Sequence, residues 1–480
     1  MKKSRERIFS FILLGIFCLS ILTDWYRVLV LAASGMLIVM TLDKMGRGIV
    51  LREIMALHAC FVCLLMPLVG YVFYGAEFEL SRIWVKYMQV PEPVYFGFAV
   101  PAITGFSLAV CWPLTKNNAA DNGKPLKDLI ERAKGILTYM PMMGILLMIL
   151  GLVSNLTSIF LPAALQFAFY LFFFAAFSGF LYVYFSAGVK RKVLVLTLFA
   201  LVIFANALQS GMFTIIAYMG ITMISFLFVG KKISFWKKLG VFALGLVFVF
   251  VLQSVKQAYR AQTWAGGYEG NKVSLFFSLI RDQFSVKSGR PFIETFFPIY
   301  ARGNQGFNVS IVMQRIPYRQ DFDGGTNLFY SFVSSFVPRV FCPDKPEAGG
   351  KFNMKFYAGY DIEGWSTNVG PIGEAYGSFG ARGGIIYLIL LGVLVRWAYK
   401  VVFRIGYRIP LMIFWIPMIF YQITYSAESD TLQITNSVIK SAFFVWVLYK
   451  IWPQIFGVAK NRFGLSQRGL RTMRKELAHK

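Results

Sequence analysis

A succession of apolar runs, each close to the length needed to cross a bilayer, leaves few folds open to this chain. The runs fall at roughly 8–23, 26–42, 54–74, 96–114, 136–153, 159–188, 193–208, 211–230, 239–257, 384–403, 410–426 and 432–452. A helix rises about 1.5 Å per residue, so about 20 apolar residues cover the hydrocarbon core. Lipid offers no hydrogen bonds, so each span must satisfy its own backbone, which a helix does. With 57% hydrophobic and 15% charged residues in 480, the chain carries more apolar surface than one soluble core can hide. The expected fold is an all-α polytopic integral membrane protein of about 12 transmembrane helices with a large helical outer loop. The N-terminal "MKKSRERIFSFILLGIFCLSIL" mimics a signal peptide, but no small-residue cleavage pattern follows, so it is expected to stay as the first helix.

Charge orders these spans. Lys2, Lys3, Arg5 and Arg7 precede the first, and every second connection is again basic. These hold Lys44, Arg47 and Arg52; Lys116, Lys124, Lys127, Arg132 and Lys134; Lys190, Arg191 and Lys192; Lys231, Lys232, Lys237 and Lys238; Arg404 and Arg408; and the tail from Lys460. The alternate connections carry Asp24, Glu77, Glu79, Glu92, Glu428 and Asp430. The positive-inside rule then places both termini in the cytoplasm. It also accounts for the net charge of +26 without a nucleic-acid footprint. Four regions follow: a nine-helix region 1–257, an outer loop 258–383, three helices in 384–452, and a basic tail 453–480.

The outer loop is too long to be a plain connector. "SLFFSLIRDQFSV" (274–286) and "GFNVSIVMQRI" (306–316) have helical apolar spacing, and "NLFYSFVSSFVP" (327–338) reads as an interfacial or re-entrant segment. Eight arginines lie here: Arg260, Arg281, Arg290, Arg302, Arg315, Arg319, Arg339 and Arg382. The guanidinium fork suits phosphate oxygens, so the set fits an anionic headgroup such as a lipid diphosphate; the alternative is pairing with the loop's ten acids. Arg302 in "YARGNQGFN" and Arg339 in "FVPRVF" are flanked by aromatic residues, and glycines at Arg302 let backbone approach a ligand. In "STNVGPIGEAYGSFGARGG", glycines frame Glu374, followed by Tyr376, Phe379 and Arg382. Glu374 is a candidate general base, or else a carboxylate answering the helix dipole or Arg382.

Other chemistry is thinly represented. His58 falls in the third span, where a packed, hydrogen-bonded role is expected, and His479 in the tail, so no outer histidine is expected. Cys60 and Cys63 form a CxxC inside an apolar helix and read as packing residues. No metal-ligand spacing and no phosphate-binding glycine loop is present, and no cofactor is expected. Glu428 and Asp430 sit in an outer turn and either stay solvated or line an outer cavity. Asn308-Val-Ser310 matches a glycosylation acceptor, a pattern that arises readily by chance.

"GGTNLFYSFVSSFVPRVFCPDKPEAGGKF" followed by "VGPIGEAYGSFGARGGIIYLILLGVL" resembles the oligosaccharide repeat-unit polymerases, the Wzy-type O-antigen polymerase family. Pro338, Arg339, Lys345, Pro346, Gly373, Glu374, Tyr376, Phe379 and Gly380 carry the likeness, within roughly 290–395. The resemblance implies a GT-C-like glycosyltransferase of the bacterial cytoplasmic (inner) membrane. It would move a growing glycan from undecaprenyl diphosphate onto a new lipid-linked repeat unit at the outer face. Polysaccharide biosynthesis of the lipopolysaccharide kind would be its setting. Its partners would be undecaprenyl-diphosphate-linked oligosaccharides, membrane lipids, a chain-length regulator and a flippase. Neither ATP nor a nucleotide sugar would be needed. On this reading Glu374, Arg339 and Arg302 are catalytic, and Arg382, Arg290, Lys345, Tyr376 and Phe379 bind substrate. The related O-antigen ligases show an arginine, ten residues, then a glycine, a spacing that Arg339 and Gly350 share. Ligases also rely on an outer-loop histidine, which is lacking here. A ligase-like transferase, a lipid-linked oligosaccharide flippase or other transporter, and a structural subunit of an export complex are the other readings.

Overall fold

The computed structural model describes residues 2–114, 121–158, 160–211, 213–284, 291–337, 349–362, 367–421 and 427–458. Among them the chain is helical, with no strand and two isolated β-bridges. The membrane region runs through α1 (Lys2–Leu22), α2 (Tyr26–Lys44), α3 (Leu51–Phe73), α4 (Glu92–Cys111), α5 (Gly123–Thr138), α6 (Pro141–Ser158), α7 (Ala163–Phe185), α8 (Lys192–Ser210), α9 (Thr214–Leu227) and α10 (Phe235–Arg260). The late segment adds α11 (Lys272–Phe284), α12 (Phe292–Gly303), α13 (Gln305–Arg315) and α14 (Thr326–Ser334). It closes with α15 (Gly370–Arg408) and α16 (Thr431–Ile451).

Nine helices among the described residues are long and apolar enough to span a membrane. Twelve apolar runs shrink to nine for identifiable reasons. Arg5, Glu6 and Arg7 occupy the first turns of α1, α9 has 14 residues, and the described part of the run at 410–426, residues 410–421, is not a long helix. There the chain makes a tight 3₁₀ stretch, Pro410–Trp415, and one α-turn, Ile416–Ile419, all buried. Hydropathy marked this piece correctly as greasy, but it is greasy because it is a plug. The Phe414 ring stacks on Phe185 at 4.8 Å, and Trp415 Nε1 donates to the Tyr182 hydroxyl at 3.0 Å.

Small residues set the closest helix pair. A Cβ on Gly144 would lie 2.8 Å from the Gly179 carbonyl oxygen, and one on Gly151 2.5 Å from the Ala176 Cβ. α6 and α7 therefore meet backbone to backbone, the usual solution where lipid removes the hydrophobic drive between helices. Gly151→Leu is expected to separate the pair and to cost roughly 1–3 kcal/mol or more, read as lowered thermal stability in detergent.

The connections gather at two ends. At one end the 45–50 connector is laced to its neighbours: Ile49 N donates to Asp121 O at 3.1 Å, Gly123 N to Arg47 O at 3.1 Å, and Gly230 N to Gly46 O at 3.0 Å. At the other end the connector 74–91 holds the late segment. Tyr74 stacks on Tyr300 at 4.3 Å and donates to the Ile293 carbonyl at 2.7 Å. Tyr300 donates to Lys86 O at 3.2 Å, and Gln89 N to Ser310 Oγ at 3.1 Å. The expected helices at 274–286 and 306–316 appear as α11 and α13, and the segment 327–338 holds α14; Phe329 and Phe336 on and just after α14 are exposed. α15 is two helices joined at Gly380, whose φ of 67° and ψ of −168° break the helical path. That conformation favours glycine, and it separates the stretch bearing Glu374 from the long span beyond.

Candidate functional site

The late segment and the connector 74–91 enclose a cavity of about 510 Å³. Its wall combines three kinds of group. Lys86 and Arg302 supply positive charge, and Glu428 a carboxylate. Asn304, Gln305, Asn308, Thr367, Asn368 and Gln433 supply amide and hydroxyl groups, and Trp84 and Phe297 aromatic faces. A pocket of this size with convergent polar groups is the default location for a ligand.

Local structure fixes each member. Asn304 caps α13 by accepting from Phe307 N, and its amide donates to the Tyr300 hydroxyl at 3.0 Å. Gln305 and Asn308 both donate to the Asn368 carbonyl, at 2.6 and 2.9 Å. Asn308 also donates to Thr367 Oγ1 at 2.9 Å and is 5% exposed, so the glycosylation pattern there is a buried structural amide. A Cβ on Gly306 would fall 2.3 Å from both Pro67 and the Tyr95 hydroxyl. Only glycine lets α13 settle this deeply against α3 and bring its amides to the cavity.

The electrostatics are built around Glu428. Its side chain is 24% exposed at the cavity, and its Oε1 lies 3.7 Å from His58 Nε2. Burial would raise its pKa, but the His58 hydrogen bond and the charges of Arg302 and Lys256 outweigh burial and hold it at about 2. Lys86 lies over the Phe307 ring at 4.2 Å, and burial, with Arg302 nearby, pushes its pKa down to about 8. Among the described residues no carboxylate stands within ion-pair distance of Arg302, so its guanidinium faces the cavity open to an anion.

The expected site residues divide into three groups. Arg302 lines the cavity. Glu374 lies behind the wall, 1% exposed, with both oxygens occupied: Oε1 accepts from Asn353 Nδ2 at 2.7 Å, and Oε2 from Thr431 N and Oγ1 at 2.8 and 2.6 Å. It thus serves the N-terminus of α16, as a carboxylate should. Arg382 is exposed further along α15 and forms no ion pair with it. Asp430 sits between Glu374 and the cavity, accepting from Gly349 N at 2.8 Å and Asn368 Nδ2 at 3.0 Å, and burial pushes its pKa up. Tyr376 packs edge-on against Phe98 at 5.1 Å, and Phe379 is partly exposed beside Tyr387. Arg290, Arg339, Lys345, Glu363 and Cys342 lie outside the described residues.

Three cavity features escaped the sequence reading. Trp84 and Lys86 come from a short connector far away in the chain. His58, expected inside a span and away from any outer site, stands against Glu428. The amides of α13 belong to a helix whose face could not be assigned. Cys60 and Cys63 are buried packing residues, and no group of metal-binding side chains occurs among the described residues. No protein-family model, curated protein or solved structure matches the chain.

Proposed function

We propose that the chain is a GT-C-like membrane glycosyltransferase that polymerises oligosaccharide repeat units carried on a polyprenyl diphosphate. The observation that carries this reading is one cavity that holds two cations, an ionised carboxylate, amides and an exposed indole together. Cations suit a diphosphate, amides and indole suit sugar hydroxyls and ring faces, and a carboxylate suits a hydroxyl proton. A transporter would instead need a polar path through the bundle. Both termini in the cytoplasm and a cavity on the outer face of the bacterial inner membrane complete the proposal, with the charge pattern as support. Growth of a glycan ladder from a purified lipid-linked repeat unit tests it.

The chemistry distributes over the wall as follows. The acceptor hydroxyl attacks the anomeric carbon as the carbon–oxygen bond to the diphosphate breaks. The proton passes to Glu428, and the electron pair leaves with the lipid diphosphate. Arg302 and Lys86 hold the growing negative charge. The surrounding cations make Glu428 a weak base. A bound diphosphate engages those cations, so Glu428 regains basicity when substrate is present. Glu374 acts as a positioning residue, tying Thr431 to α15 and keeping the Glu428 turn in place.

Lys86 gives this account a pH signature. Its pKa of about 8 makes it the cavity cation that titrates first. Affinity for a polyprenyl diphosphate is expected to fall as pH rises through about 8 and beyond, because only the charged form attracts the anion. Lys86→Arg should flatten that fall, since guanidinium stays charged. A flat wild-type binding curve between pH 7 and 10 would remove Lys86 from anion binding.

A further inference from the structure

The opposite end of the bundle carries a second cavity, of about 740 Å³, that the proposed reaction does not use. Arg47, Lys124, Lys127, Lys231, Lys232 and Lys238 surround it, and no carboxylate is among the described residues lining it. These six cations come from three separate connections. Insertion orientation explains lysines in such connections, but not their convergence on one hollow.

The hollow is a built feature. Gly46 and Gly230, at φ of +84° and +81°, join the first and third connectors through the Gly230 N to Gly46 O bond. A Cβ on Gly46 would stand 2.8 Å from the Lys231 carbonyl oxygen, so the two connectors touch. Lys238 Nζ is anchored on the Leu42 carbonyl at 2.8 Å, and Lys231 lies over the Tyr184 ring at 5.5 Å. Of the nearby acids only Asp43 reaches a cavity cation, Arg47. Asp43 pairs with Arg5 and Arg47, while Glu53 and Asp121 are locked onto Lys44 and Arg52.

We propose that this cavity binds the phosphate headgroup of an anionic phospholipid. It lies where α2 ends and α10 begins, at the depth where headgroups sit. Met45, Val229 and Ile233 provide an apolar side for the start of the acyl chains. Phe235 and Trp236, both exposed at the first turn of α10, are the aromatic residues found at membrane interfaces. Free phosphate would use the cations but gain nothing from this apolar and aromatic side. Basic hollows between membrane helices are suited to such lipids, with about 1 kcal/mol per charge near the surface.

The test uses full-length protein in a neutral detergent, titrated with phosphatidylglycerol, phosphatidylcholine or inorganic phosphate while thermal unfolding is followed. Phosphatidylglycerol is expected to raise Tm by roughly 2–5 °C at saturation, and the other two to leave it unchanged. The triple variant Lys124→Gln, Lys127→Gln, Lys232→Gln removes cations for which no anchoring bond is seen. It should fold normally and bind phosphatidylglycerol on the order of a hundredfold more weakly. The corresponding triple arginine variant should keep the response. An undiminished response in the glutamine variant, or an equal shift with phosphatidylcholine, would overturn the site. An equal shift with inorganic phosphate would overturn its assignment to lipid.

Discussion

Glu428→Gln is expected to lower glycan transfer per folded molecule by roughly 10²–10⁴, an effect well beyond its loss of thermal stability. Glutamine keeps the size and one acceptor oxygen but cannot take the hydroxyl proton. The side chain stands at the cavity, but its charge is engaged by His58, Arg302 and Lys256, so losing it also costs some stability and transfer is scored per folded molecule. Glu374→Gln should show the reverse balance. Both of its oxygens accept hydrogen bonds from donors that are themselves buried, two of them at the start of α16. The amide would turn an N–H toward one of those donors, and protein loss or a lowered Tm should dominate, with transfer per folded molecule largely spared. Measuring product and unfolding on one preparation separates the two carboxylates. A glutamine variant at 428 with wild-type transfer would exclude Glu428 as the base.

The largest effect on stability is expected at Asp121. Asp121, Lys44, Arg52 and Glu53 form a buried quartet with no net charge. Lys44 Nζ contacts Asp121 Oδ2 at 2.7 Å and Glu53 Oε1 at 2.9 Å, and Arg52 Nη2 contacts Asp121 Oδ2 at 2.9 Å. Arg52 Nη1 also donates to the carbonyls of Val110 and Trp112, which ties the start of α3 to the end of α4. Burial opposes ionisation of Asp121, but Arg52 and Lys44 outweigh it and hold its pKa below the usual range. Asp121→Ala leaves two buried cations facing one carboxylate, and such a break costs about 3–5 kcal/mol. Thermal unfolding should show the loss, while Asp43→Ala, on a partly exposed pair, should change little. Equal stability of the two variants would contradict the structural role given to the quartet.

What the sequence revealed follows from which forces are local. Helices such as α2, α4, α8 and α16 were legible because apolar length alone defines them. α11 and α13 were legible from helical spacing. The basic connections were legible because like charges recur at intervals, though not that three of them share one hollow. Hydropathy treats 410–419 like part of a span because a plug buried against Tyr182 and Phe185 is as apolar as a lipid-facing helix. The cavity was half legible. Arg302 stood out among glycines and aromatics, and Glu428 as an acid in an outer turn. Lys86, Trp84 and His58 reach them through contacts between residues far apart in sequence, and composition is blind to those. Glu374 was conspicuous for its glycine frame, but that frame reflects close packing. A Cβ on Gly377 would meet the Tyr357 ring at 2.4 Å, and one on Gly373 the Val369 Cβ at 2.7 Å.

The central claim is that this membrane bundle elongates a lipid-linked glycan at the cavity of Arg302, Lys86 and Glu428. Purified wild-type protein, given a polyprenyl-diphosphate-linked repeat unit and no nucleotide sugar or ATP, tests it most directly when products are resolved by size. The account predicts a ladder of multiples of the repeat unit with release of polyprenyl diphosphate, and its loss in Glu428→Gln. Unchanged substrate, or a single transfer to a different lipid acceptor with no ladder, would contradict it.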